Sequence, residues 1–243
     1  MSGLEISANA PAKTATPKTS KTNDLAKKFE LGKPTFKGTR EQNIEKMARS
    51  WKLAYPQANE ADLKRFIRKL YKVCKDLKIT QTNDGKLDPR YATKEDQIVD
   101  EMLAVFANES QLSPKTVHET DKETYRGVFQ LGDKTFAEMK KHNPATRPFG
   151  KTLEQQLDNL VDYFKYNHDI FGMPDGLRLN AKRAATMIKF PKAWHYNETV
   201  GGKKSQDWWE LKNRVCQMKI ADRDHLYAED QRKQYRKAKN GGS

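Results

Sequence analysis

Apolar side chains recur at three- and four-residue intervals between residues 59 and 78, and this spacing constrains the fold more than any other feature. They are Leu63, Phe66, Ile67, Leu70, Val73, Cys74 and Leu77. Such spacing places all seven on one face of an α-helix. Asn59 stands just before the stretch, where its side chain can accept hydrogen bonds from the first free backbone amides. The segment therefore predicts a long amphipathic helix that buries its apolar face against other elements.

Comparable patterns elsewhere predict an all-α fold of seven or eight helices. Further polar residues stand in N-cap positions before such patterns: Thr39, Thr93, Thr152 and Ser205. The helix after Thr39 is expected to end at Pro56, which cannot continue a helix. The sequence "SPKT" at 113–116 predicts the start of another short helix, with proline in its favoured first position.

The stretch 125–139 is the best candidate for β-structure. Its pattern is compatible with a hairpin that turns at Gly132 and Asp133, and equally with a helix over 134–142. The expected fold class is therefore all-α: a compact multi-helix core with at most one small β-hairpin.

Composition divides the chain into three parts. Residues 1–33 are expected to form a disordered basic arm. The first 28 contain no aromatic side chain and cannot bury enough apolar surface to offset the entropy of ordering. Residues 34–227 form the predicted helical core. Residues 228–243 form a polar, basic tail, with five positive charges and no acid between Arg232 and Lys239.

The balance of charge indicates a polyanionic partner. The formal net charge is +14 and the isoelectric point is near 9.6, which suits nucleic acid or an anionic membrane surface. No apolar run of transmembrane length and no secretory signal pattern is present, so a protein that is not secreted is expected. Cys74 and Cys216 lie in apolar helical patterns, which favours buried, reduced thiols, although a disulfide between them stays open.

Motifs for common enzymatic chemistry are absent from the sequence. There is no phosphate-binding glycine loop, no HExxH and no paired-cysteine metal spacing. The five histidines never pair at helical spacing, and "DGKLDPR" lacks the later carboxylates of a calcium loop. The sequence therefore predicts a protein that is not an enzyme and that has no cofactor, no metal site and no small-molecule substrate.

One segment, 176–197, holds five basic residues and no acid. On a helix at about 100° per residue, Arg178, Lys182 and Lys189 form one ridge, which is separate from an apolar face. Pro191 ends this helix. The predicted RNA-binding residues of the segment are Arg178, Lys182, Arg183, Lys189, Lys192, Trp194 and Tyr196. Cations followed by aromatic rings suit a groove for single-stranded nucleic acid. The alternative is a solvated helix face, with Trp194 as an ordinary core residue.

Two further features extend this interpretation. The helix over 59–78 has a second basic face, and a loop at 140–151 is expected to border the same groove. Their predicted RNA-binding residues are Lys64, Arg65, Arg68 and Arg147.

The helix over 93–109 is acidic, with a net charge of −4. It could pair with a basic face of a neighbouring subunit and promote head-to-tail assembly. The alternative for this helix is a merely solvated face.

The whole organisation resembles the nucleocapsid or coat proteins of RNA viruses that package single-stranded RNA in helical assemblies. The stretch "EKMARSWKLAYPQANEADLKRFIRKLYKVCKDL" (45–77) is similar to the first core helices of flexible filamentous plant-virus coat proteins. The resemblance implies sequence-independent RNA sheathing, self-association into a filament through arms that link subunits, and a location in the virion or the host cytoplasm.

Two alternatives of other classes stay open. One is a cellular or phage DNA- or RNA-binding accessory factor in replication or packaging, which does not assemble into filaments. The other is an enzyme with unrecognised nucleic-acid chemistry. A membrane-surface role is disfavoured, because the basic ridge lacks an adjoining bulky apolar face for insertion.

Overall fold

The computed structural model describes residues 29–80, 86–171 and 203–241. These residues form six α-helices: α1 (Arg40–Ala54), α2 (Glu60–Asp76), α3 (Lys94–Ser110), α4 (Asp133–His142), α5 (Leu153–Phe171) and α6 (Lys203–Asn240). They also form three short strands: β1 (Val117–Glu119), β2 (Thr124–Arg126) and β3 (Leu131–Gly132). The predicted mostly helical fold is confirmed.

Four helices begin where the sequence predicts. Thr39 and Thr93 each form a capping box. The threonine hydroxyl oxygen accepts a hydrogen bond from the backbone amide of the third helical residue, and the side chain of that residue accepts one from the threonine backbone amide. Asn59 Oδ1 accepts from the backbone amides of Ala61 and Asp62 at 2.9 and 3.1 Å. The fourth, α5, follows Thr152, whose hydroxyl oxygen accepts a hydrogen bond from the Gln155 amide at 3.2 Å. The prediction for Ser205 is wrong, because α6 already begins at Lys203.

Helix α2 lies at the centre of the packing. It contacts α1, α3 and α5, while α6 packs against α1 and α3, and α4 packs against α5. The Phe66 ring of α2 meets the Phe106 ring of α3 edge-on, with centroids 5.4 Å apart. The apolar face of α2 that the spacing predicts is therefore buried on several sides at once.

The β-structure is a three-stranded antiparallel sheet in the order β1-β2-β3, not a single hairpin. The predicted turn at Gly132 and Asp133 is wrong, because Gly132 ends β3 and caps α4; the helical alternative for that stretch is the correct one. The predicted short helix at 113–116 is also wrong. Pro114 and Lys115 form a turn instead, and a contact from outside this segment holds the backbone of the turn.

That outside contact is Gln156, a fully buried side chain of α5. Its amide nitrogen donates to the carbonyls of Pro114 and Gly150, each at 2.9 Å, and its oxygen accepts from the Val128 amide at 2.7 Å. Gly127 has φ +78°, and a Cβ there would lie 2.6 Å from the Gln156 oxygen. One side chain thus joins three loops to α5.

Replacing Gln156 with alanine should lower the free energy of unfolding by about 2–3 kcal/mol, because it leaves buried backbone groups without partners. Urea denaturation measures this change. Lys165→Ala, at an exposed position of the same helix, is the control and should change stability by less than about 0.5 kcal/mol. Equal effects of the two substitutions would contradict the assigned role of Gln156.

A buried ionic cluster attaches α6 to the rest of the fold. Arg223 of α6 and Asp100 of α3 are both fully buried and form an ion pair. Asp100 also accepts from Trp51 Nε1 at 2.8 Å and from the Tyr91 hydroxyl at 2.7 Å. The Arg223 guanidinium lies 4.9 Å from the centroid of the Trp51 ring. Burial alone would lower the pKa of Arg223, but the carboxylates of Asp100 and Asp224 outweigh it and raise that pKa, so the charge is retained.

The segment before α1 runs in extended form beside the start of α3. Phe36 donates to the Arg90 carbonyl and accepts from the Ala92 amide, both at 2.7 Å, and forms a parallel bridge with Tyr91. Residues 1–28 of the predicted arm lie outside the described residues. The boundary drawn at residue 228 falls inside α6, so the basic tail up to Asn240 is helical.

Candidate nucleic-acid interface

Helix α6 separates its charges along its length. Residues 203–231 contain six basic and six acidic side chains, which cancel. Residues 232–240 contain five basic side chains and no acidic one. These five, which we call the C-terminal basic cluster, are Arg232, Lys233, Arg236, Lys237 and Lys239. The entire net charge of the helix is therefore at its last three turns.

All five side chains of the cluster are exposed. At about 100° per residue they form two adjacent rows, Arg232–Arg236–Lys239 and Lys233–Lys237. The rise of 1.5 Å per residue puts neighbours four residues apart at about 6 Å along the axis. The opposite side of these turns faces the body of the protein, where Gln234, Tyr235 and Ala238 are half-buried. The helix thus presents its cations outward on a fixed surface.

Contacts with the N-terminal part of the chain hold this end of α6 in place. Arg49 of α1 forms an ion pair with Asp230 at 3.1 Å, and the Phe29 ring meets the Tyr235 ring edge-on at 6.1 Å. The Tyr227 hydroxyl donates to Glu30 at 3.1 Å. Although burial opposes it, hydrogen bonds from Thr35 and Lys46 lower the pKa of Glu30, so this carboxylate stays ionised as an acceptor.

The cluster is not neutralised within the described part of the chain, where none of its five side chains contacts a carboxylate. Cations near the C-terminus of a helix are also favoured by the partial negative charge of its last carbonyls. An external anion can therefore bind the cluster without displacing any carboxylate of the described residues.

The predicted basic face of α2 differs in this respect. Lys64 lies 3.2 Å from Glu60 and 3.8 Å from Glu45. Arg65 pairs with Asp62, and Arg68 pairs with Glu41. Each predicted RNA-binding cation of α2 therefore already has a carboxylate partner in the same chain.

Arg147 lies near this face. It contacts Asp158 of α5 at 3.0 Å and also pairs with Asp162, and Lys69 of α2 reaches the same Asp158 at 2.6 Å. The structure thus brings Arg147 and the basic face of α2 together at α5. A phosphate would have to displace these carboxylates.

The other predicted RNA-binding residues lie outside the described residues. They are Arg178, Lys182, Arg183, Lys189, Lys192, Trp194 and Tyr196. The C-terminal basic cluster was not among the predicted site residues. Its signal was the acid-free run "RKQYRKAK", which composition alone assigns to a polar tail.

The acidic helix over 93–109 is neither an assembly patch nor a solvated face. Asp96, Asp100 and Glu101 of α3 are buried. Asp96 accepts from the Tyr71 hydroxyl, Asp100 pairs with Arg223, and Glu101 accepts from Gln97 at 2.9 Å. Reversing these charges would therefore test folding rather than assembly.

Other kinds of site find little support in the described ranges. Within them, no group of three His, Cys, Asp or Glu side chains is placed to hold a metal ion. None of the helices there has the length and apolarity needed to cross a membrane. Cys74 and Cys216 are both buried and do not form a disulfide with each other, and burial raises the pKa of Cys74.

Comparisons of the chain with protein-family models, with curated proteins and with solved structures find no match. Function must therefore follow from the charges and contacts of the chain itself.

Proposed function

We propose that this protein binds single-stranded RNA without sequence specificity. The observation that carries the proposal is the C-terminal basic cluster, in which five exposed cations share the end of one helix with no acidic residue among them. Phosphate contacts by Lys and Arg supply most of the affinity of such binding and release counterions from the nucleic acid.

The arrangement suits a phosphate backbone better than base edges. Contacts to phosphates position a protein on nucleic acid but carry no sequence information. Two rows of cations at about 6 Å spacing along the helix can meet successive phosphates of one strand. The predicted stacking residues Trp194 and Tyr196 would favour a single strand over a duplex.

The fuller form of the proposal is a viral nucleocapsid or coat protein, which sheathes an RNA genome by self-association and resides in the virion and the host cytoplasm. The net charge of +14 supports this form, because many copies along one strand must neutralise its phosphates. It involves no catalytic step and no cofactor. The competing form is a DNA- or RNA-binding accessory factor that binds as a small, defined species.

Purified protein tests both forms. We expect similar affinity for two single-stranded RNAs of unrelated sequence, weaker binding to duplex DNA, and a steep fall in affinity with salt. Negative-stain imaging and the ratio of absorbance at 260 and 280 nm should show RNA-loaded rings or filaments. Tight binding without particles would favour the accessory factor, and binding that is insensitive to salt would contradict both forms.

A further inference from the structure

The outward face of α6 carries an exposed apolar stripe before the basic cluster begins. Met218 is 63% exposed and Leu211 is 41% exposed, and Val215 between them is half-buried. If the direction of Met218 around the axis of α6 is taken as 0°, Leu211 lies at about +20° and Val215 at about +60°. This stripe lies opposite the face through which Cys216, Ile220 and Arg223 join the core. Exposed apolar side chains that are contiguous on one face mark interaction surfaces.

Two opposite charges flank the stripe symmetrically. Arg214 precedes Met218 by four residues and Asp222 follows it by four, so they lie at about −40° and +40° on the same face. Both are exposed. Neither forms an ion pair within the described residues, whereas seven of the eleven described arginines do.

We infer that a second copy of this chain docks antiparallel on this face, with a two-fold axis at Met218. In an isologous interface, both copies use the same surface patch. If residue i of one copy contacts residue j of the other, residue j of the first copy also contacts residue i of the second. An antiparallel register centred on Met218 places Arg214 of each copy at the level of Asp222 of the other copy. The same register places the two Met218 side chains together. The charge pattern is thus self-complementary in this orientation, whereas a parallel register places Arg214 beside Arg214.

The contact is confined to the central turns of α6. Packed helices cross at an angle and diverge away from the crossing point. The basic cluster begins 14 residues beyond Met218, about 21 Å along the axis. It therefore stays exposed in the dimer, which carries one cluster at each end. An interface of one helix face is small, so we expect weak, concentration-dependent association. This inference does not depend on RNA binding.

Disulfide trapping tests the two-fold axis. Met218→Cys should form a covalent dimer under mild oxidation about tenfold faster than Gln217→Cys, because residue 217 is exposed but turned about 100° away from the axis. The wild-type protein controls for Cys74 and Cys216. Equal rates for the two variants would overturn the inference. So would slow reaction of the Met218→Cys thiol with a maleimide in dilute, monomeric protein, because the stripe would then be covered within a single copy of the chain.

Charge reversal tests the register. Arg214→Glu and Asp222→Arg should each shift the equilibrium to monomer by about tenfold, because each places like charges across the contact. The double variant restores opposite charges and should recover the wild-type dimer in analytical ultracentrifugation. Failure of the double variant to recover would overturn the inference. RNA affinity measured in the same variants should be nearly unchanged, which separates this interface from the proposed function.

Discussion

Replacing Asp100 with alanine should lower the free energy of unfolding by about 3–5 kcal/mol, because it leaves the fully buried Arg223 without its carboxylate partner in α3. The same change removes the acceptor of the Trp51 indole and of the Tyr91 hydroxyl. Whole domains are stable by only about 5–15 kcal/mol. We therefore expect a largely unfolded or strongly destabilised protein, measured by circular dichroism during urea denaturation.

Two further variants separate the charge from the hydrogen bonds. Asp100→Asn keeps an acceptor at the same place but removes the negative charge, so it should be destabilised less than the alanine variant. Glu95→Ala, at an exposed carboxylate of the same helix, should change stability by less than about 0.5 kcal/mol. If Asp100→Ala were as mild as Glu95→Ala, the buried cluster would not be what attaches α6.

Replacing the five residues of the C-terminal basic cluster with glutamine should flatten the slope of log K against log salt for single-stranded RNA by roughly 3–4 units. Each phosphate contact contributes about 0.7 units for a single strand, and five contacts are removed. Fluorescence anisotropy with a labelled RNA at several salt concentrations measures the slope. The fold should survive, because these side chains are exposed and make no ion pairs within the described residues.

The matched control removes five cations that already have carboxylate partners. They are Lys64, Arg65, Arg68, Lys69 and Arg147. Both variants lose the same net charge, so a general effect of charge would change both slopes equally. We expect a smaller change in the control, because a phosphate would have to displace carboxylates there. Equal changes would mean that the cluster is no special site, and a larger change in the control would move the interface to α2 and α5.

The helix starts could be predicted from sequence because an N-cap residue forms hydrogen bonds only with residues close to it in the sequence. Thr39, Asn59 and Thr93 each bond to residues two or three positions away. The turn at Pro114 could not be predicted in the same way. Its carbonyl is fixed by Gln156, which is 42 residues distant, and a local pattern contains no information about such a partner.

The acidic helix shows the same limit for the candidate site. Composition counts Asp100 as a surface charge, because carboxylates are rarely buried unless they are paired. Its partners Trp51 and Arg223 lie 49 and 123 residues away. The cations of α2 are likewise neutralised by partners that include Glu41 of α1 and Glu154 of α5. The sequence therefore identified the candidate cations of α2 but could not show that each of them has a carboxylate partner.

The number of residues between Asp100 and Arg223 also determines how late in synthesis α6 can pack against α1 and α3. Translation adds about 5–20 residues per second, so Arg223 follows Asp100 by 123 residues, or roughly 6–25 seconds. Until then, the carboxylate has the Trp51 and Tyr91 donors but no cationic partner, and the surfaces of α1 and α3 that later receive α6 are uncovered. Nascent chains that stall before residue 223 should be clients of chaperones and proteases, whereas the released chain can close its core in one late step.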